Sequence, residues 1–172
     1  MIALIEQNFE ENKKLYNEVE RKLRMKLEES IPINQVGSTA IPNMWGKNIM
    51  DILIGAKDVE EFEKITNILC EDGYIASKKS KDEIYQFFSS IESETGSGDI
   101  HIHLVIIDTM RYSEFLILKD YLLNNSNEAK KYSDFKKQIV ENGITDRKEY
   151  KKVKSEYVTE LLNRAKEWNK SV

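Results

Sequence analysis

An aspartate stands inside the apolar run Ile49, Met50, Ile52, Leu53, Ile54. An ionised carboxylate resists burial unless it is paired, hydrogen-bonded or set against a cation, so Asp51 asks for a chemical reason to be there. Upstream, Gly37-Ser38-Thr39 follows a predicted strand. Glycine permits a tight turn and a close approach, and exposed N–H groups with two hydroxyls can hold phosphate oxygens. An ordinary turn is the plain alternative for an isolated Gly-Ser. The stretch lacks the glycine and lysine spacing of a Walker loop or a dinucleotide fingerprint. Adjacent strands would bring Asp51 beside this turn, where a cation bridging protein and phosphate would sit. A carboxylate paired with Lys47, or capping a backbone N–H, is the structural alternative.

The run "DIHIHLVII" carries the chain's two histidines. Alternation puts Asp99, His101 and His103 on one face and Ile100, Ile102, Leu104 and Ile106 on the other. Histidine binds transition metals or contacts phosphate, and either role is open beside Asp51. Sheet histidines hydrogen-bonded to backbone or carboxylates are the structural alternative. If the chain performs acid–base chemistry, His101 or His103 is the candidate base. Further along lie Arg111, Lys119, Tyr132, Lys136, Tyr150 and Lys154. Tyr150 and Lys154 are four apart and share a helix face. Most of these lysines read as solvated faces, and Tyr157 and Trp168 read as core.

Positioning such residues takes a sheet and its covering helices. Phe9, Tyr16, Val19, Leu23 and Leu27 recur at helical spacing and predict an amphipathic helix over 8–29. Strands are predicted over 31–36 and 49–54. Asp58 with Glu61 fits an N-cap and its acidic N3 residue, opening a helix that Gly73 stops. Two strands, in "EIYQFFSSI" and "DIHIHLVIID", flank the polar, glycine-containing "ESETGSGD", which reads as a hairpin loop. Beyond Asp108 the pattern is helical, with helices near 110–124, 127–142 and 146–169. The expectation is one α/β (α+β) domain over 1–172, a mixed sheet covered by helices with a helical C-terminal part from about 109.

The 172 residues suit one domain, and 40% hydrophobic with 33% charged residues suits a globular protein. A formal charge of -4 gives no general reason to bind nucleic acid, although a local basic patch stays open. The single cysteine, Cys70, excludes an intramolecular disulfide and a cysteine-built zinc site. No apolar run approaches a bilayer span and the N-terminal residues do not resemble a signal peptide, so a cytoplasmic protein without membrane partners is expected.

"VGSTAIPNMWGKNIMDILI" resembles the signature of the GrpB-like family, in which a G-S-T-[SA]-[VI]-P turn leads to a K-P-x-x-D-I strand. The likeness is dense over 35–54 and collinear, more loosely, through "HIHLVI", "LKDYL" and the last helix. The family is placed in the nucleotidyltransferase-like superfamily. The resemblance therefore implies that fold, with Gly37 and Ser38 as the phosphate-binding pair, Asp51 as the first metal-binding carboxylate, and Lys47 as the lysine before the strand. Similar tyrosine and lysine positions recur in the family's helical part, which implies secondary ligand contacts from Lys136, Tyr150 and Lys154. Thr39 joins the phosphate-binding turn, and His101 and His103 join Asp51 as candidate catalytic and metal-binding residues. Asn43 stands where glycine is common and Asn48 replaces proline. Leu53 occupies the second position of the superfamily's Asp-x-Asp pair, so one expected carboxylate is missing. What the resemblance implies is binding of a nucleoside triphosphate with Mg2+ or Mn2+ and transfer of a nucleotidyl group to an acceptor hydroxyl. The competing expectations are a non-catalytic module for a nucleotide or phosphorylated metabolite, and a protein-interaction domain.

Overall fold

The 49–56 segment is apolar at nearly every position because it becomes an inner strand buried on both faces. In the computed structural model, which describes residues 2–90 and 99–172, it forms β4 (Ile49–Ala56) of a five-stranded mixed sheet. The preceding elements are β1 (Ile5–Glu6), helix α1 (Phe9–Arg24), β2 (Ile33–Val36) and β3 (Trp45–Gly46). After β4 come α2 (Val59–Glu71), β5 (Ile75–Asp82), β6 (Tyr85–Ser89) and β7 (Asp99–Ile106). The sheet order is β2-β4-β7-β6-β5. β4 runs parallel to β7 and antiparallel to β2, and an inner position with helices on both faces explains why it is apolar apart from Asp51. β6 pairs antiparallel with β7, as a hairpin requires. The predicted hairpin loop "ESETGSGD" lies, apart from Asp99, outside the described residues.

The two faces differ chemically. Met50, Ile52, Ile54, Ile102 and Leu104 pack under α1 and α2 against Val19, Leu23, Ile65 and Leu69. On the opposite face, Val36, Leu53 and Val105 pack with Tyr112 of α3 (Met110–Asn124). Helices α4 (Ser126–Glu141) and α5 (Arg147–Lys170) join α3 through a second cluster containing Tyr121, Leu122, Ala129, Tyr132, Leu161 and Ala165. Among the described residues no helix is long and apolar enough to cross a membrane.

The structure shortens the first predicted helix and adds two features that the sequence reading does not contain. The first helix ends at Arg24 rather than near residue 29, and the Arg24 guanidinium takes the carbonyls of Glu28, Glu29 and Ile31. Leu27 stays in the core, so the apolar period outlasts the helix. β5 is an edge strand, "IASKKSKD", whose lysines hid it; charge on an edge strand opposes edge-to-edge pairing. The short β1–β3 ribbon, which carries Gly46 to the site, has too few residues to announce itself.

Candidate functional site

The register of the sheet places the chemistry. Val36 pairs with Asp51 across β2–β4, and Asp51 pairs with His101 and Leu53 with His103 across β4–β7. Alternation then turns Asp51, His101 and His103 to the α3–α5 side of the sheet, where a cleft of about 610 Å³ opens. Its walls include Ser38, Lys47, Asp51, His101, His103 and Lys136. Tyr150 and Lys154, the other expected contacts, line it too.

Gly37 is where the sheet meets the turn. Its φ of 71° lies in the left-handed region, and a Cβ there would strike the Asp51 side chain. Glycine thus does two things: it turns the chain, and it lets the backbone lie against the carboxylate. Ser38 opens a single turn of 3-10 helix, Ser38–Ala40. Gly46 packs against Ser38, since a Cβ on it would lie 2.8 Å from Ser38 Cβ. Thr39 departs from its expected role. Its hydroxyl is buried and accepts from Gln35 Nε2 at 3.2 Å, while its carbonyl accepts from the same group at 3.1 Å. Thr39 braces the turn from within instead of facing the cleft.

Asp51 is joined to both histidines through one oxygen. Oδ1 lies 3.3 Å from His103 Nε2 and 3.5 Å from His101 Nδ1. The far nitrogens are also held: His101 Nε2 is 3.2 Å from Asp99 Oδ2, and His103 Nδ1 is 2.9 Å from Tyr85 Oη. Asp99 is itself fixed, its Oδ1 accepting from Ser90 Oγ and from the Ile100 backbone. Burial pushes the Tyr85 hydroxyl up to about 12, with Arg111 opposing, so it keeps its proton and can donate to His103. Burial alone would raise the Asp51 carboxyl, but hydrogen bonds and charge from His101 and His103 outweigh it. They hold the carboxyl well below its ordinary range. Phe87 closes the floor, its ring edge-on to both imidazoles.

The opposite wall is basic. Lys136 of α4 is 2% exposed and donates from Nζ to Ser38 Oγ at 2.9 Å, with Nζ 4.6 Å from the Tyr132 ring centre. Burial, and then the nearby Lys154 charge, lower this amine to about 7 against a partial counter-effect from Asp51. Lys47 lies 5.1 Å over the Tyr150 ring and is lowered to about 8, again chiefly by burial and by Lys154 and Arg147. Arg147, Tyr150, Lys151 and Lys154 line the cleft from the first two turns of α5. Arg147 and Lys151 escaped the sequence reading, although spacing of four and then three residues puts them on the Lys154 face. Arg111 lies elsewhere, paired with Asp82 and set 4.8 Å from the Tyr85 ring.

The donor chemistry around Asp51 does not fit a resident Mg2+. That ion demands a near-octahedral shell of oxygens, usually from carboxylates, phosphates and water. Here one carboxylate meets two imidazoles, and the second acidic position is Leu53, fully buried against Val36, Val105 and Tyr112. Among the described residues no group of three or more His, Cys, Asp and Glu side chains is arranged to hold a metal ion.

A mixed sheet carrying a glycine–serine turn against an aspartate on the neighbouring strand, with helices closing the cleft, defines the class of protein. The chain belongs to the GrpB family: the family model described as GrpB protein matches residues 3–164. The Glutamate-rich protein GrpB of Alkalihalophilus pseudofirmus is 32% identical over 135 residues, which cover 76% of each chain. YqkA of Bacillus subtilis is 29% identical over 165 residues, covering 91% of this chain and 47% of that one, so the chain spans about half of that relative. The crystal structure of the conserved protein GrpB from Enterococcus faecalis is similar at a TM-score of 0.81 and 20% identity. It covers 96% of this chain and 99% of that chain, and it shares the fold.

Proposed function

We propose that the cleft binds a nucleotide, or another phosphorylated small molecule, by its phosphates. The observation that carries this reading is the meeting of the Ser38 turn with Lys47, Lys136, Arg147, Lys151 and Lys154 around one cleft. Charge-assisted hydrogen bonds from such groups suit a compact polyanion, and Arg147 adds the forked geometry that fits phosphate oxygens. Tyr150 supports the half-buried Lys47, and Tyr132 the buried Lys136, from beneath.

A divalent cation, Mg2+ or Mn2+, enters this reading only as a companion carried on the phosphates, with the Asp51 carboxylate as the group it would meet. Binding is the activity the geometry supports best. Nucleotidyl transfer by two metals calls for a second carboxylate where Leu53 stands.

Calorimetric titration with inorganic tripolyphosphate and with ATP tests the reading. Both should bind. Lys151→Glu with Lys154→Glu should weaken each by on the order of ten- to a hundredfold, the scale of one or two charged hydrogen bonds. Unchanged affinity in the folded double variant would place the ligand elsewhere.

A further inference from the structure

We propose that Ser38 is an activated nucleophile, with Lys136 as the general base that takes its hydroxyl proton. Oγ and Nζ are 2.9 Å apart, within the reach that proton transfer requires. Lys136 is almost fully enclosed, and among the described residues no carboxylate lies within 4.0 Å to hold it as an ion pair. An amine lowered to about 7 has a large neutral fraction at physiological pH, as a lysine base needs. Lys154 and Asp51 are the charged groups acting on it, with opposite signs.

The backbone supports the same role. Ser38 sits at a strand-to-helix turn, directly after a left-handed glycine, which lifts its side chain to the cleft. Serine nucleophiles on such sharp turns present Oγ in this manner. Gly46 leaves the space that Ser38 fills.

The electrophile is the phosphorus of a phosphoric ester or anhydride held by the basic wall. Ser38 Oγ forms a bond to phosphorus and the bond from phosphorus to the leaving oxygen breaks. The electron pair departs on that oxygen, and the serine proton passes to Lys136 Nζ. With a nucleoside triphosphate attacked at its first phosphorus, pyrophosphate leaves and Ser38 carries the nucleotidyl group. The chain is then its own acceptor. This inference rests on the cleft as a phosphate site and not on the ligand being a nucleotide.

A fluorophosphonate probe tests it without nucleotide recognition, because the same attack expels fluoride. Intact mass and peptide mapping should show one label, on Ser38, and tripolyphosphate should protect against it. Lys136→Arg keeps the charge but cannot serve as a base at neutral pH. That variant should label more slowly by on the order of 10²–10⁴-fold, with a melting curve to verify folding. Wild-type protein that binds tripolyphosphate but stays unlabelled at Ser38 overturns the dyad, as does an equal labelling rate in Lys136→Arg. Labelling at Ser38 in protein blind to tripolyphosphate keeps the dyad and overturns the phosphate reading.

Discussion

Asp51 illustrates how a residue can be legible in position but not in partnership. Its isolation in an apolar run marked it, and alternation put His101 and His103 on one face. That both imidazoles converge on a single oxygen follows from the parallel β4–β7 register, which one-dimensional spacing does not contain. Gly37 was legible as a turn residue, whereas its packing against Asp51 depends on the β2–β4 pairing. Asp51→Asn keeps the shape and removes the charge that the two histidines stabilise. A carboxyl held below its ordinary value stabilises the fold above that value, 3.8, and loses the contribution as pH falls through the folded value. Thermal melts should therefore show Asp51→Asn less stable than wild type at pH 7, by about 1.5–3 kcal/mol. The gap should close as the pH drops below about 4. A gap independent of pH would assign the loss to packing instead.

At the scale of elements, the strands and helices that carry strong periodicity were readable. Helices predicted near 110–124, 127–142 and 146–169 form as Met110–Asn124, Ser126–Glu141 and Arg147–Lys170. Asp146 caps the last by accepting from the Lys148 and Glu149 N–H groups. What stayed hidden was β5, because a lysine-rich edge strand lacks the apolar signal, and the share of Arg147 and Lys151 in the basic face of α5, because charged helix faces usually mean solvent. Leu53 shows the limit of reading a motif by position. It has the second acidic slot but belongs to the apolar layer under α3. Leu53→Asp would restore the Asp-x-Asp alternation while setting an unpaired carboxylate against Val36, Val105 and Tyr112. The variant should lose on the order of 3 kcal/mol or more in denaturant unfolding. A variant of wild-type stability would mean that this layer opens readily to water or a cation.

At the scale of the whole molecule, charge is divided unevenly. The chain is net acidic, at -4, yet five basic side chains face one cleft with Asp51 and Asp99 as its carboxylates among the described residues. A polyanion is drawn to where basic groups gather, which here is the cleft. An enclosed basic cleft suits a compact one. The mixed sheet supplies the turn and the aspartate, α4 supplies Lys136, and α5 supplies the outer cations, so the cleft exists because the C-terminal helices close over the second sheet face. The overall architecture could be read from sequence since burial is written in periodicity. The convergence of Ser38 on Lys136, ninety-eight positions apart, could not, as no local pattern records it.

The most direct measurement of the central claim is a heteronuclear NMR titration of the labelled chain with inorganic tripolyphosphate. Amide shifts concentrated at residues 37–40, at Lys47 and along 147–154, saturating together, are the predicted result. Shifts that saturate elsewhere while those segments stay still, or no shifts at all, would contradict a phosphate site in this cleft.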